Sequence, residues 1–140
     1  AVTTLLQDEV SEIRKAAIVA VTANATEGAA HVKASLVACL QDGIAAVRLA
    51  AVEALVETAE EGDAALIDTL SRVLEDELSM VRVAAMEALA SLAEDDDHRV
   101  TAIVRSCLHH QDRALRIAAI KALGEIAMPG DASAVADVAA

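Results

Sequence analysis

The phrase VRLAAVEAL (47–55) recurs as IRKAAIVAV (13–21), VRVAAMEAL (81–89) and LRIAAIKAL (115–123), so Arg14, Arg48, Arg82 and Arg116 stand 34 residues apart. Self-similarity at this period marks a stack of like supersecondary units, none of which can bury its apolar face alone. The register extends well beyond the arginine. Ala17, Ala51, Ala85 and Ala119 form one column, and Ala20, Ala54, Ala88 and Ala122 form another. Leu6, Leu40, Leu74 and Leu108 make a third, with Val2, Leu36, Leu70, Val104 and Val138 four residues ahead of it. Asp8, Asp42 and Asp76 align as well, but His110 takes that slot in the last repeat.

Each repeat holds two apolar stretches at helical spacing. In the second, Ile44, Val47, Ala51, Ala54, Leu55 and Thr58 fall on one side of a helix; in the first, Val32, Leu36, Cys39 and Leu40 do so. The breaks are LQDG (40–43) within a repeat and AEEGDA (59–64) between repeats. Gly28, Gly62 and Gly130 recur as helix stops, the last reinforced by Pro129. Asp63, Asp97 and Asp131 recur as helix starts, where a carboxylate accepts orphan backbone N–H bonds. The pattern predicts helices over 1–7, 10–25, 29–41, 44–59, 63–75, 78–93, 97–110, 112–127 and 131–140. The expected fold is an all-α solenoid of about four two-helix repeats, with residues 1–140 as a single domain.

Phe, Tyr and Trp are absent, so small and aliphatic side chains must build the core. The net charge of -12 argues against nucleic acid, whose phosphates need a basic footprint. No apolar run approaches the length of a membrane span. Two cysteines in a chain this long make no disulfide framework, which points to a reducing cytoplasm.

A 34-residue helical pair also suits a tetratricopeptide repeat, but that pattern needs aromatics, and ankyrin repeats need a T-P-L-H motif that is missing. The unit L-x-D-x-x-x-x-[VIL]-R-x-A-A-x-x-A-[LV] instead resembles HEAT repeats over the whole chain. IKALGEIAMPGDASAVADVAA (120–140) is similar to the short subclass named after phycobilisome lyases. Residues six apart lie about 240° apart around a helix, so Arg48 cannot face the Asp42 side chain along its own helix and needs a partner across the seam between repeats. The resemblance implies a ladder of Asp–Arg contacts between neighbouring repeats, formed here by Asp8, Asp42 and Asp76 with the four arginines. His110 departs from the pattern, so the ladder is expected to weaken at the last repeat.

Other constellations read as structural. Glu94-Asp95-Asp96-Asp97 lacks the shaped loop a calcium site needs and reads as a solvated turn. Cys107, His109, His110 and Asp112 lack metal-ligand spacing, and Cys107 falls in the packing column of Leu5, Cys39 and Val73. No phosphate loop, nucleophile elbow or H-E-x-x-H motif is present, nor the His-Glu pairs of HEAT-like di-iron hydroxylases or the basic aromatic groove of HEAT-like DNA glycosylases. The chain is therefore expected to be non-enzymatic, with no metal and no cofactor.

The second helices offer one surface feature. By analogy with HEAT solenoids, the side away from the first helices is concave. On it Leu49, Val83 and Ile117, with Met80 and Val56, are expected to form an exposed apolar stripe flanked by Glu53, Glu57 and Glu87. The leading function is then a scaffold that binds a protein or peptide, one carrying basic residues, on this face. The alternatives are an accessory subunit of a bilin lyase or similar enzyme and a spacer segment of a larger repeat protein. Opening and closing partway through first-type helices points to a fragment of a longer solenoid or to end-to-end self-association.

Overall fold

A computed structural model describes residues 2–24, 29–60, 62–95 and 97–126. Gly28, Pro129, Gly130, Asp131, Val138 and the helix expected over 131–140 lie outside them. A short 3₁₀ helix, Val2–Gln7, is followed by α1 (Ser11–Ala23), α2 (Ala29–Cys39), α3 (Ala45–Thr58), α4 (Ala64–Val73), α5 (Ser79–Leu92), α6 (His98–Ser106) and α7 (Arg113–Ile126). No strand occurs among the described residues.

The second-type helices α1, α3, α5 and α7 match the expected spans to within two residues. The first-type helices end sooner, because their last turns tighten. Leu40 and Gln41 donate to carbonyls three residues back, and so do Cys107 and Leu108. Such bonds satisfy the orphan carbonyls at a helix end without continuing the α geometry.

The helices group into two compact units, Ala1–Ala59 and Glu60–Ala140. In the first, α1 packs on the 3₁₀ helix and α3, and α2 packs on α3. In the second, α4 and α7 pack on α5, and α6 packs on α7. Each unit thus sets a second helix against its own first helix and against the neighbouring second helix. The alanine columns make this possible. Ala51 in α3 and Ala85 and Ala119 in α5 and α7 are fully buried, and a methyl group lets helix axes approach closely. Leu36, Val47 and Leu55 close the first core; Leu70, Val81, Leu89, Val100, Val104 and Leu115 close the second. Burying each such side chain stabilises by about 1.5–3 kcal/mol.

Two expectations need correction. Ile44 leaves the apolar side of its helix: it is the extended N-cap residue of α3 and is exposed. Gly62 is not the stop of α3, which ends at Thr58 with Ala59 extended. It lies in the following turn at φ 74°, where its N–H donates to the Leu92 carbonyl at 2.8 Å. Asp63 and Asp97 do cap α4 and α6: Asp63 accepts from the Leu66 N–H, and Asp97 from those of Arg99 and Val100.

Candidate functional site

The aspartates before α1, α3 and α5 are each held in two ways, and Asp42 in a third. The Oδ1 atoms of Asp8, Asp42 and Asp76 accept the N–H two residues on, from Val10, Ile44 and Leu78, at 2.9, 2.9 and 3.0 Å. This turn delivers the chain to the helix start. The aspartate carbonyl then accepts from Nη1 of the arginine in the same repeat: Arg14 to Asp8 at 2.7 Å, Arg48 to Asp42 at 2.8 Å and Arg82 to Asp76 at 2.6 Å. The 240° separation rules out only the side chain of an aspartate on the same helix. Asp42 precedes α3, and its carbonyl lies within reach of the arginine.

The Asp42 carboxylate itself meets an arginine of the preceding repeat. Arg14 grips Asp42 with two parallel bonds, Nε to Oδ2 at 2.7 Å and Nη2 to Oδ1 at 2.9 Å. Both side chains are largely buried, which makes this bidentate pair stronger than a surface bridge. Burial pushes the Asp42 carboxyl up, but the bonds from Arg14 and the Ile44 N–H outweigh it and hold the group below its ordinary value. Arg48 is the one charged side chain among the described residues that is buried outright.

The last repeat corrects the expectation about His110. Its Nδ1 accepts the Asp112 N–H at 3.0 Å, repeating the turn bond of the aspartates, and its carbonyl accepts from Arg116 at 2.7 Å. The anionic role shifts two residues on. Asp112 Oδ2 accepts from Arg82 Nη2 at 2.9 Å, Arg82 Nε at 3.1 Å and Ser79 Oγ at 2.6 Å. Its Oδ1 caps α7 through the Ala114 N–H at 2.9 Å. The Ser79 bond, with Arg82 reinforcing it against burial, lowers the Asp112 carboxyl to about 2. The rung does not weaken at His110; Asp112 replaces it. Sequence reasoning passed over Asp112, although it stands in the column of the apolar Val10, Ile44 and Leu78.

The expected stripe is less open than its pattern implied. Met80 is 58% exposed and Ile117 44%, but Leu49, Val56 and Val83 are half-buried. On α5 the neighbouring α7 packs against the helix and covers part of its surface. What each second helix turns fully outward is the row that holds Glu53 and Glu57 on α3, and Met80, Glu87 and Ser91 on α5. Ala46 on α3 belongs to that row. On α1 the same row holds Val19, the most exposed large apolar side chain among the described residues. Its column otherwise reads Glu53, Glu87 and Lys121, a contrast the sequence displayed and the stripe argument missed.

The remaining candidates are structural. Glu94 and Asp95 are exposed, and Asp97 is engaged at the start of α6. Among the described residues no three His, Cys, Asp or Glu side chains are arranged to hold a metal ion. Cys39 and Cys107 are free and buried, and burial pushes both thiols up, away from the reactive thiolate.

Two solved structures, both engineered proteins from one structural genomics consortium, share this architecture. One has a TM-score of 0.64 at 22% identity, the other 0.61 at 23%. Each alignment covers 99% of this chain, but only 65% and 39% of theirs, so the chain spans less than two thirds of either. These likenesses establish the fold alone. No curated protein matches the sequence. The family model for HEAT repeats matches residues 67–140, just over half of the chain. With the helix pairs, the alanine columns and the Asp–Arg rungs in place, the chain belongs to the HEAT-repeat family and has the α-solenoid fold class of that family.

Proposed function

We propose that the chain is a non-enzymatic interaction scaffold whose second-helix face takes a protein or peptide segment bearing Lys or Arg. HEAT repeats generally serve protein interaction. The observation that carries the finer reading is that each of two second helices turns glutamates outward beside alanines: Glu53 and Glu57 on α3, and Glu87 with the exposed Met80 on α5. Alanines leave room for a partner's backbone or long side chains. The glutamates favour basic groups through encounter rate and register more than through affinity. Met80 on α5 supplies an adaptable, exposed apolar contact, and Ile117 on α7 is exposed as well; Leu49, Val56 and Val83 are half-buried. The free thiols fit a cytoplasmic setting, and among the described residues no helix is long and apolar enough to cross a membrane.

Selection from a displayed peptide library tests the reading. The wild-type chain should enrich peptides carrying Lys and Arg, with affinity that falls as salt rises. Glu53→Lys with Glu87→Lys should lose those peptides while keeping the helical signal, because both positions are exposed. A variant that selects the same peptides would contradict the assignment of this face.

A further inference from the structure

Val19 and its equivalents Glu53, Glu87 and Lys121 occupy one repeat position on the four second helices, and all four side chains are exposed. Three of them are charged, as a solvent-facing position favours. Val19 is apolar and 67% exposed. The position turns outward on every second helix, so an apolar side chain there covers nothing of the fold. Local preference does not favour valine either, since a β-branched residue is a poorer helix former than Glu, Gln or Lys. Ala16 and Ala23, about one turn to either side on α1, are exposed and small. Val19 therefore projects with room before and after it along the helix.

Within the same compact unit α1 packs on α3, and packed helix axes lie about 8–10 Å apart. On α3 the outward row sets Glu53 and Glu57 one turn apart, both exposed. Neither enters an ion pair with a described residue. Carboxylates at i and i+4 repel one another. Glu57 also lies in the last turn of α3, where the helix dipole disfavours an anion and no basic residue compensates. The two charges do nothing for the helix that carries them, and both favour an external cation.

We propose that the α1–α3 face takes an amphipathic helical segment of a partner protein. An aliphatic side chain of the segment lies on Val19 between Ala16 and Ala23, and a lysine or arginine three or four residues away reaches Glu53 and Glu57. Residues at that spacing share one helix face, and the long basic side chain spans the remaining distance. The proposal deepens the reading of the second-helix face as a site for basic segments, and it rests on that reading. A second copy of the chain is the poorer occupant, because with a net charge of -12 it would bring acidic surface against Glu53 and Glu57. A basic amphipathic helix gains from both halves of the face, through burial of Val19 and neutralisation of the glutamates.

Selection from a displayed library of helical peptides, with affinities measured for the best binder, tests this. The wild-type chain should enrich peptides that carry an aliphatic residue three or four positions from Lys or Arg. Val19→Gln places a better helix former at an exposed position, so the thermal midpoint should hold. This variant should keep the basic preference, lose the aliphatic one and bind the best peptide about tenfold or more weakly. Glu53→Gln with Glu57→Gln should do the reverse, losing the basic preference and the salt dependence while keeping the aliphatic preference. Basic peptides with no aliphatic preference, or equal affinity for Val19→Gln, would overturn this proposal and leave the reading beneath it standing. A wild-type chain that enriches no basic peptide would remove that reading and this one together. A wild-type dimer in sedimentation velocity that Val19→Gln dissociates would put a second copy on the face, which also sinks the proposal.

Discussion

At the scale of single residues, the repeated arginine is a three-way joint whose value depends on what it holds. Arg82 binds a carboxylate and a carbonyl in a largely buried setting. Removing it strands Asp112 as a poorly solvated anion, so Arg82→Ala should destabilise by roughly 2–4 kcal/mol. Arg116 holds only the His110 and Gln111 carbonyls among the described residues, and Arg116→Ala should cost about 1–2 kcal/mol. Urea midpoints of the two variants, compared at equal slope, decide the order. A second check isolates the pair. If Arg82 and Asp112 stabilise mainly through one another, the double variant Arg82→Ala with Asp112→Ala should unfold close to the worse single variant. Additive losses would show that Ser79 and the α7 cap account for most of the Asp112 contribution.

At the scale of elements, period and punctuation made most of the structure legible, and the failures share a cause. The second helices could be bounded closely because Val10, Ile44, Leu78 and Asp112 each sit just before a helix, two residues after the turn-forming Asp or His. Periodicity names the side a residue faces but not how far the neighbour on that side extends. Val83 was expected to be open and is half-buried, because α7 packs on α5 and covers part of that helix; Leu49 is half-buried too. The Asp–Arg rungs could be anticipated only as a family pattern. The exchange of His110 for Asp112 needed coordinates, since a shift of two residues looks like a loss when columns are read. Gly62 illustrates the same limit. Its recurrence suggested a helix stop, whereas its φ of 74° serves a turn tied to the end of α5 through the Leu92 carbonyl. Gly62→Ala would force an L side chain into the left-handed region and set a Cβ against the Glu94 carboxyl. The expected loss is about 1–2 kcal/mol, measured by chemical denaturation. The flexible Glu94 can swing aside, so an unchanged midpoint would mean that the turn itself relaxes.

At the scale of the whole molecule, acid should act through a few carboxylates more than through total charge. At neutral pH the chain carries -12, and protonation first relieves that repulsion. Exposed charges are screened beyond about 8 Å at physiological salt, so the relief is small. The rung and cap carboxylates respond differently. Asp42 and Asp97 lie below their ordinary value, and Asp112 falls from 3.8 to about 2. A carboxyl whose folded value is depressed contributes stability that is fully present above its unfolded value and is lost as pH falls toward the folded one. The thermal midpoint should therefore stay nearly level from pH 7 to 5 and drop steeply between about pH 4 and 2. Over that drop the 11 Lys and Arg keep their charge, so the ladder arginines become partly buried cations without counter-ions. Two linked effects then push toward unfolding, and neither is offset by the vanished acidic repulsion. Circular dichroism melts at steps of half a pH unit provide the measurement, with Asp112→Asn as the control. That variant should start lower at pH 7 and fall less between pH 4 and 2, having already lost the group whose protonation the wild type feels. A wild-type midpoint that climbs steadily down to pH 2 would mean that bulk repulsion, and not the rungs, governs stability.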